Sequence, residues 1–464
     1  MIRRERPTTL LVETLARTES LAAVTASIAN DPTLSRLAEP WAQIGQSLAL
    51  GGDAVAATYV RLRSAEPALG PLVILAWWLN RGELDPETVW QELALLREAV
   101  PSDAVPDRTL TDTFELLVGE DRPGEGPGEV SAQAPMDPAA GLSGATADYA
   151  RALLAQHLAR SLEERGEFGP ARALLRDAYR RARSHDLVRQ WDLVLQLARV
   201  SQRLGDYTGV VNLLGDEALR REATESARFE FLIDTHFATA AAAFGTEQAE
   251  LAFREIVAAG ELLDRPDAPR DDQRNAQLLL RSGQVEALLG NSDEASDLLR
   301  AAIDAFEALN PADHQGATEA RLVLADRALA EDDASLAAKS LAELSAEADA
   351  SKAPWELPER LALATYPFAT IDPPSREDYD TLLLQLAQIH DPVLQFKARS
   401  NLYVHALMFL DRKDQADLLI ELRRMGQRIH RETFARLYEH YVIARYPFAI
   451  ESRLARLQQP GGER

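Results

Sequence analysis

Two arginines lie at the same offset from a turn glycine, and their side chains are suited to bind a carboxylate. Arg160 and Arg199 each lie six residues before a glycine, Gly166 and Gly205, at which a helical pattern stops. Equal offsets in repeated units place side chains on one face. A guanidinium group donates paired, directional hydrogen bonds to a carboxylate. The spacing predicts a cationic patch that receives an acidic or carboxylate-bearing segment of a partner.

The competing interpretation is that these arginines form ion pairs within the chain. Glu163 and Glu164 are close enough in sequence to serve as their partners. Surface ion pairs of this kind are common and weak. The residue types alone leave both interpretations open.

Catalytic and metal-binding patterns are missing from the sequence. Its eight histidines are scattered with no HExxH pair, and it has no cysteine. The glycine-rich string at 124–128 lacks the Lys-Ser/Thr pair of a phosphate loop and is followed by no apolar helix. The acidic pairs 271–272 and 332–333 fall in a loop and at a turn, where such residues are typical helix caps. We therefore expect no cofactor, no metal ion and no enzymatic activity.

Composition excludes several classes of partner. The chain has 464 residues, of which 46% are hydrophobic, so it can bury a large core. Its net charge of −23 opposes binding to nucleic acid. Charged residues interrupt the apolar runs near the N-terminus, and no run is long enough to cross a bilayer. We expect a cytoplasmic protein without membrane insertion, and the sequence does not indicate an oligomeric state.

A helix-turn-helix pattern recurs along the chain at intervals of roughly forty residues. Between Gly283 and Asn310, an apolar helical stripe is followed by a turn at Gly290, a small residue at Ala295 and a second stripe through Leu299. Glycine can adopt a positive φ and end a helix. Turns of this kind are predicted, in chain order, at Gly52, Gly82, Gly166, Gly205, Gly245, Gly290, Asp332 and Asp411.

This pattern resembles the tetratricopeptide (TPR) repeat. The resemblance rests on Trp41, Gly45, Gly52 and Ala57, and on the units led by glycines 166, 205 and 290. The spacing is nearer forty residues than the usual thirty-four, and the proline that closes each unit is mostly missing. The resemblance implies an all-α fold, a TPR-like α-solenoid in which antiparallel helix pairs stack into a right-handed superhelix.

The predicted solenoid has two blocks. Residues 119–145 are rich in Gly, Pro and acidic residues and lack a periodic apolar face, which is typical of a flexible linker. We therefore predict N-terminal repeats at 1–118, the linker at 119–145 and a longer C-terminal array at 146–464.

The resemblance also implies which side chains face a partner. In TPR-like arrays the first helix of each pair lines a concave groove, and residues six or ten positions before the turn glycine point into it. In this chain those positions, with one adjoining arginine, are Gln156, Arg160, Leu195, Arg199, Leu280, Arg281 and Gln284. The Lys and Asn residues with which TPR domains clamp a C-terminal carboxylate are absent there, so binding of chaperone tails is not implied.

Two aromatic features are predicted to be structural. The related segments 357–369 and 437–449 both end in Tyr-Pro-Phe-Ala, and their aromatic rings are expected to pack the junctions between helix pairs. Trp77 and Trp78 are adjacent on a predicted helix and point about 100° apart. One of the two indoles is therefore expected in the core and the other partly exposed.

The architecture predicts a non-catalytic scaffold or adaptor that binds a protein or peptide in its groove. This step is an analogy, because one fold can host many functions. One alternative is a regulatory sensor whose superhelix changes pitch when a signalling peptide binds. Another is an all-α enzyme with an unrecognised site, which would need convergent polar residues in a closed pocket.

Overall fold

The computed structural model describes most of the chain. Its described residues are 7–81, 84–118, 141–142, 144–266, 271–330, 380–406 except 382, 385 and 388, and 412–443. Every regular element within these ranges is a helix. The all-α prediction is confirmed for this part of the chain.

Several sequence predictions fall on other residues. The linker 119–145 lies almost wholly outside the described ranges, and so the division into two blocks stays a prediction. The Tyr-Pro-Phe-Ala segments at 366–369 and 446–449 lie outside as well. The same holds for the turns at Gly82, Asp332 and Asp411.

The chain forms two compact units. Unit 1 comprises Met1–Leu162 and Pro170–Gln196, and unit 2 comprises Glu163–Gly169 and Leu197–Arg464. The helices that begin before residue 170 are α1 Pro7–Thr18, α2 Leu21–Asn30, α3 Ala38–Leu50, α4 Asp53–Ala65, α5 Leu69–Asn80, α6 Pro86–Ala99, α7 Val105–Val118, α8 Gly144–Glu164 and α9 Phe168–Ser184. A 3-10 helix at Pro32–Leu37 precedes α3.

The later helices lie mainly in unit 2. They are α10 Gln190–Arg203, α11 Tyr207–Leu214, α12 Glu217–Glu225, α13 Phe229–Gly245, α14 Ala249–Leu263, α15 Asp272–Leu289, α16 Ser292–Glu307, α17 His314–Ala330, α18 Pro392–Ala406, α19 Arg412–Met425 and α20 Arg431–Tyr438. Helices α13 and α14 pack together as a pair, and so do α15 and α16. Each pair is joined by a short turn, so its helices run antiparallel, as the TPR-like pattern predicts.

The pair formed by α15 and α16 shows how local sequence sets these elements. Asp271 caps α15 by accepting hydrogen bonds from the backbone N–H groups of Gln273 and Arg274, which confirms the predicted cap. Gly290 ends α15 in the left-handed region, with a φ of +81°. Glycine adopts this conformation without the steric cost that a Cβ would add.

Other predicted turns form in the same way, with one difference. Gly166 and Gly205 have φ values of +71° and +72°. At the next turn α13 continues to Gly245, and the residue with positive φ is Glu247, at +59°. Gly245 allows the ring of Tyr207 to approach closely, because a Cβ there would lie 3.0 Å from Cζ of that ring.

Helix α5 forms the centre of unit 1, where it contacts α1, α3, α4 and α7. Trp77 and Trp78 are both buried, so the expectation that one would be partly exposed is wrong. The reason is that α5 is covered on several sides. Trp78 stacks on Phe114 with ring centroids 4.0 Å apart, and the indole N–H of Trp77 donates to Glu92 at 2.7 Å.

The C-terminal helices of unit 2 pack against the turn between α10 and α11. The backbone N–H of His430 donates to the carbonyl of Leu204 at 2.7 Å. The hydroxyl of Thr433 donates to the carbonyl of Gly205 at 2.5 Å. No sequence pattern indicated this contact, which joins residues more than two hundred positions apart.

Candidate functional site

Polar side chains join the first helices of successive pairs. In unit 2, α13 contacts α15, and α15 contacts α17. The guanidinium of Arg274 on α15 pairs with Asp234 on α13, 40 residues away, at 3.0 Å. Gln202 on α10 donates to the carbonyl of Ala238 on α13, 36 residues away, at 2.8 Å. These separations match the predicted repeat.

The surface of unit 2 that carries these contacts is the candidate site, and we call it the first-helix face. It bears Glu163, Arg199, Gln202, Asp234, Arg274, Arg281, Gln284 and Glu319. Of the seven predicted groove residues, Arg199, Arg281 and Gln284 belong to it. Gln156 and Arg160 lie on α8 in unit 1.

Of the two arginines of the predicted cationic patch, one is already paired. Nη2 of Arg199 lies 3.2 Å from Oε1 and 3.1 Å from Oε2 of Glu163. The ion-pair interpretation therefore describes Arg199. Arg160 is exposed and forms no hydrogen bond or ion pair with a described residue, so its guanidinium is free to bind a ligand.

Arg281 and Gln284 hold one carboxylate between them. Nη1 of Arg281 donates to Oε1 of Glu319, and Nε2 of Gln284 donates to the same oxygen at 3.1 Å. Arg281 also donates to the amide oxygen of Gln284 at 2.9 Å. Burial raises the pKa of Glu319, but the charge of Arg281 and the two donors lower it further, so the pKa lies below its ordinary value.

Leu280 does not face a groove, although its offset predicted that it would. It is fully buried in a core cluster that contains Leu299 and Phe306. The reason is the helical period, since Leu280 lies on the stripe of α15 that also buries Ala276 and Gly283. Leu195, chosen by the same rule, is half-buried.

Gln156 belongs to a polar network in unit 1. Its Oε1 accepts a hydrogen bond from Nη1 of Arg189 at 2.8 Å, and its backbone carbonyl accepts one from Gln196 at 3.4 Å. Arg189 also holds both carboxylate oxygens of Glu19, with Nε at 2.7 Å and Nη2 at 2.5 Å. Sequence reasoning found Gln156 but missed Arg189 and Glu19, because neither lies at a repeat offset.

A buried acid–base pair in unit 2 was also missed. Nδ1 of His236 lies 2.7 Å from Oε2 of Glu255, and Arg220 binds both oxygens of that carboxylate at 3.1 and 2.9 Å. Burial raises the pKa of Glu255, whereas the hydrogen bonds from His236 and Arg220 lower it to below its ordinary value. Arg220 on α12 and His236 on α13 both donate to the carboxylate of Glu255 on α14. These hydrogen bonds link the three helices.

Among the described residues, no group of three or more His, Cys, Asp and Glu side chains could hold a metal ion. No helix that the structure describes is both long and apolar enough to span a bilayer. That the protein works without a cofactor stays a prediction.

Comparison with known proteins gives a structural likeness alone. No family model matches the chain, and no curated protein matches it. Among solved structures, the chain is similar to a Rap protein complexed with competence and sporulation factor, with 13% sequence identity and a TM-score of 0.41. That alignment covers 89% of this chain and 96% of the other. At this TM-score the likeness carries no argument about function.

Proposed function

We propose that this protein is a non-catalytic scaffold or adaptor that binds a protein or peptide along its first helices. The observation that carries the proposal is the side-chain amide of Gln202 on α10, which forms only part of the hydrogen bonds it is able to form. Gln202 donates its amide N–H to Ala238, and its amide oxygen has no partner among the described residues. A glutamine amide offers one acceptor and two donors, which suits the alternating groups of a peptide backbone.

Arg160 supports a partner that carries carboxylates. Its guanidinium is exposed and has no described partner, and a guanidinium binds a carboxylate with directional hydrogen bonds. The net charge of −23 repels an acidic partner at long range. The attraction is therefore local, and moderate salt screens the repulsion at distance more than the contact itself.

The His236–Glu255 pair resembles an acid–base pair of an enzyme, but its geometry supports a structural role. Glu255 accepts from Arg220 as well as from His236. A general base needs a free lone pair directed at a substrate proton. This carboxylate instead faces two donors of the same unit, in keeping with a binding protein, for which we propose the cytoplasm as the location.

The proposal is tested by affinity capture from native lysate with matched variants. Arg160→Ala/Arg199→Ala removes two guanidinium groups from the first helices. Arg176→Ala/Arg300→Ala removes two exposed guanidinium groups from the second helices α9 and α16. We expect the parent and the second-helix variant to retain the same partner and the first-helix variant to lose it.

Stability measurements complete the design. Helicity and melting temperature are expected to be nearly unchanged in both double variants, because surface substitutions change stability by about 0.5 kcal/mol or less. Equal capture by all three proteins would contradict the placement of the site. Equal loss in both variants would show that the partner senses net charge rather than the first helices.

A further inference from the structure

The C-terminal helices of unit 2 form a compact body with its own core. The buried residues of that core lie between Leu386 and Val442. The rings of Phe396 on α18 and Phe434 on α20 pack edge to face, with centroids 5.5 Å apart. Helices that share a core move together. We call α18, α19 and α20, with the two residues before α18 and the two before α20, the strap.

Helix α20 of the strap is fastened to two successive turns. At the turn after α10, the backbone N–H of His430 donates to the carbonyl of Leu204 at 2.7 Å, and the hydroxyl of Thr433 donates to that of Gly205 at 2.5 Å. Three residues further along the same face of α20, Nη2 of Arg436 donates to the carbonyl of Gly245, the last residue of α13. These carbonyls lie at helix ends, where no partner within the helix is available.

The charge of Arg436 suits its position. The C-terminal end of a helix carries a partial negative charge, which attracts a cation. Arg436 therefore interacts with the end of α13 as a charge as well as a donor. Helix α20 thus bridges the end of α10 and the end of α13, which are first helices of successive repeats.

The start of α18 is fastened in the same way one repeat earlier. Oδ2 of Asp391 accepts a hydrogen bond from Nη1 of Arg203, the last residue of α10, at 2.9 Å. His390 lies against the turn before that helix, since a Cβ at Gly166 would be 2.9 Å from the Cβ of His390. The strap therefore touches three successive turns, those at Gly166, Gly205 and Gly245.

The next turn is different, and the helices around it have a core of their own. A Cβ at Gly290 would meet nothing within 4 Å. Helices α15, α16 and α17 share a separate core cluster. Two residues of α15, Val285 and the half-buried Leu278, pack on the cluster of α13 and α14. The ion pair of Asp234 with Arg274 also joins α13 to α15, but Asp234 is 38% exposed, so its contribution is small.

A strap of this kind changes how the repeats open. In a simple repeat array each unit contacts only its neighbours along the chain, so opening follows chain order. Segments of a protein open together when they share the contacts that opening breaks. The strap connects the ends of α10 and α13 to helices that follow α17 in the sequence. Cooperative units and chain order therefore differ here.

We propose that the strap joins α10, α11, α13 and α14 with the C-terminal helices into one cooperative unit, and that α15–α17 open as a separate body. The first-helix face then has a strapped part, with Arg199, Gln202 and Asp234, and an unstrapped part, with Arg281 and Gln284. A partner that contacts both parts can shift α15–α17 while the strapped part keeps its geometry. The inference depends on contacts within unit 2 and goes beyond the proposed function.

The test is native-state hydrogen exchange of the full chain in increasing urea, followed by mass spectrometry of peptic fragments. Fragments from the ends of α10 and α13 and from α20 are expected to share one opening free energy and one urea dependence. Fragments from α15–α17 are expected to open at a lower free energy. The proposal is overturned if α10 and α13 open together with α15–α17 while α20 opens separately.

A charge-matched pair of variants tests whether the strap is the cause. Asp391→Asn/Arg436→Glu removes the ion pair with Arg203 and places an anion at the end of α13, while asparagine can still cap α18. Asp417→Asn/Arg431→Glu makes the same change in net charge at exposed positions of α19 and α20. We expect exchange at the ends of α10 and α13 and in α20 to be about tenfold faster in the first variant and unchanged in the control.

Helices α15–α17 are expected to exchange at the rate of the parent in both variants. Faster exchange in α20 alone would show that the strap is not coupled to the turns. Equal acceleration in every segment, or none in any, would also overturn the proposal. If the first variant does not fold, the pattern in the parent still decides. Exchange needs no partner, so a failure here leaves the capture experiment for the proposed function unaffected.

Discussion

Nη2 of Arg199 lies 3.1 Å from Oε2 of Glu163, and the two residues belong to successive first helices, α10 and α8. Their separation of 36 residues corresponds to one repeat. The arginine side chain is 57% exposed and the glutamate side chain 15%. Water and salt screen such a pair, so its contribution to the free energy of folding is small.

Removal of this ion pair is expected to have a small effect on folding. Arg199→Ala should lower the free energy of unfolding by less than about 1 kcal/mol, because its guanidinium is solvated in the folded state. Urea unfolding of Arg199→Ala, Glu163→Ala and the double variant gives the coupling energy of the pair. A coupling above about 2 kcal/mol would mean that the pair behaves as a buried one.

Turn positions could be predicted from the sequence because they depend on local backbone conformation. Gly166, Gly205 and Gly290 all adopt positive φ, and an L-residue at such a position is strained. Asp271 could be assigned as a cap for the same local reason. The local rule failed at Gly245, which ends α13 beside the ring of Tyr207, while Glu247 takes the positive φ.

The candidate site could be predicted only in part, because its contacts are tertiary. The repeat offset selected Gln284, with Arg281 named only as a neighbour of Leu280, and it could not show that both would bind Glu319. Nor could any offset find Arg189 and Glu19, which form an ion pair although they lie 170 residues apart in the sequence. Spacing along one helix predicts a shared face, whereas partners across helices depend on packing.

Glu319→Gln is expected to lower stability in a manner that depends on pH. The charge of Glu319 pairs with Arg281, but its side chain is 42% exposed, so the expected loss at pH 7 is only about 1 kcal/mol. The pKa of Glu319 is lowered in the folded state, so its contribution is present above the unfolded pKa and is lost as the pH falls through the folded pKa.

Urea unfolding of the parent and Glu319→Gln between pH 7 and about pH 3 tests this sign. The difference in unfolding free energy should shrink towards zero at the acidic end. Glu307→Gln provides a control, because Glu307 pairs with Arg321 and its side chain is also 42% exposed. A difference that grows on acidification would mean that the pKa of Glu319 is raised in the folded state.

Glu255→Ala is expected to destabilise the protein by about 3 kcal/mol, because it leaves Arg220 without its charge partner beside a helix interface. Glu261→Ala is the matched control, since Glu261 lies exposed on the same helix. The control should change stability by no more than about 0.5 kcal/mol. Equal effects of the two substitutions in thermal and urea unfolding would exclude a structural role for the cluster.

Gly205→Ala and Gly290→Ala form a matched pair that tests how the C-terminal helices pack. Both glycines have positive φ, +72° and +81°, so either alanine costs about 1–2 kcal/mol in backbone strain. A Cβ at Gly290 meets nothing within 4 Å, whereas one at Gly205 lies 2.9 Å from Cγ2 of Thr433 on α20. We expect Gly205→Ala to cost about 1–3 kcal/mol more, because α20 must move.

Hydrogen exchange identifies where that extra cost arises. The backbone amide of His430, which donates to Leu204 at 2.7 Å, should exchange faster in Gly205→Ala and remain as protected as in the parent in Gly290→Ala. Thr433→Ala removes the methyl group that the new Cβ would meet. In that background the cost of Gly205→Ala should fall towards that of Gly290→Ala, as a double-mutant cycle would show. If the cost is instead unchanged in that background and His430 stays protected, α20 does not pack on the Gly205 turn in solution.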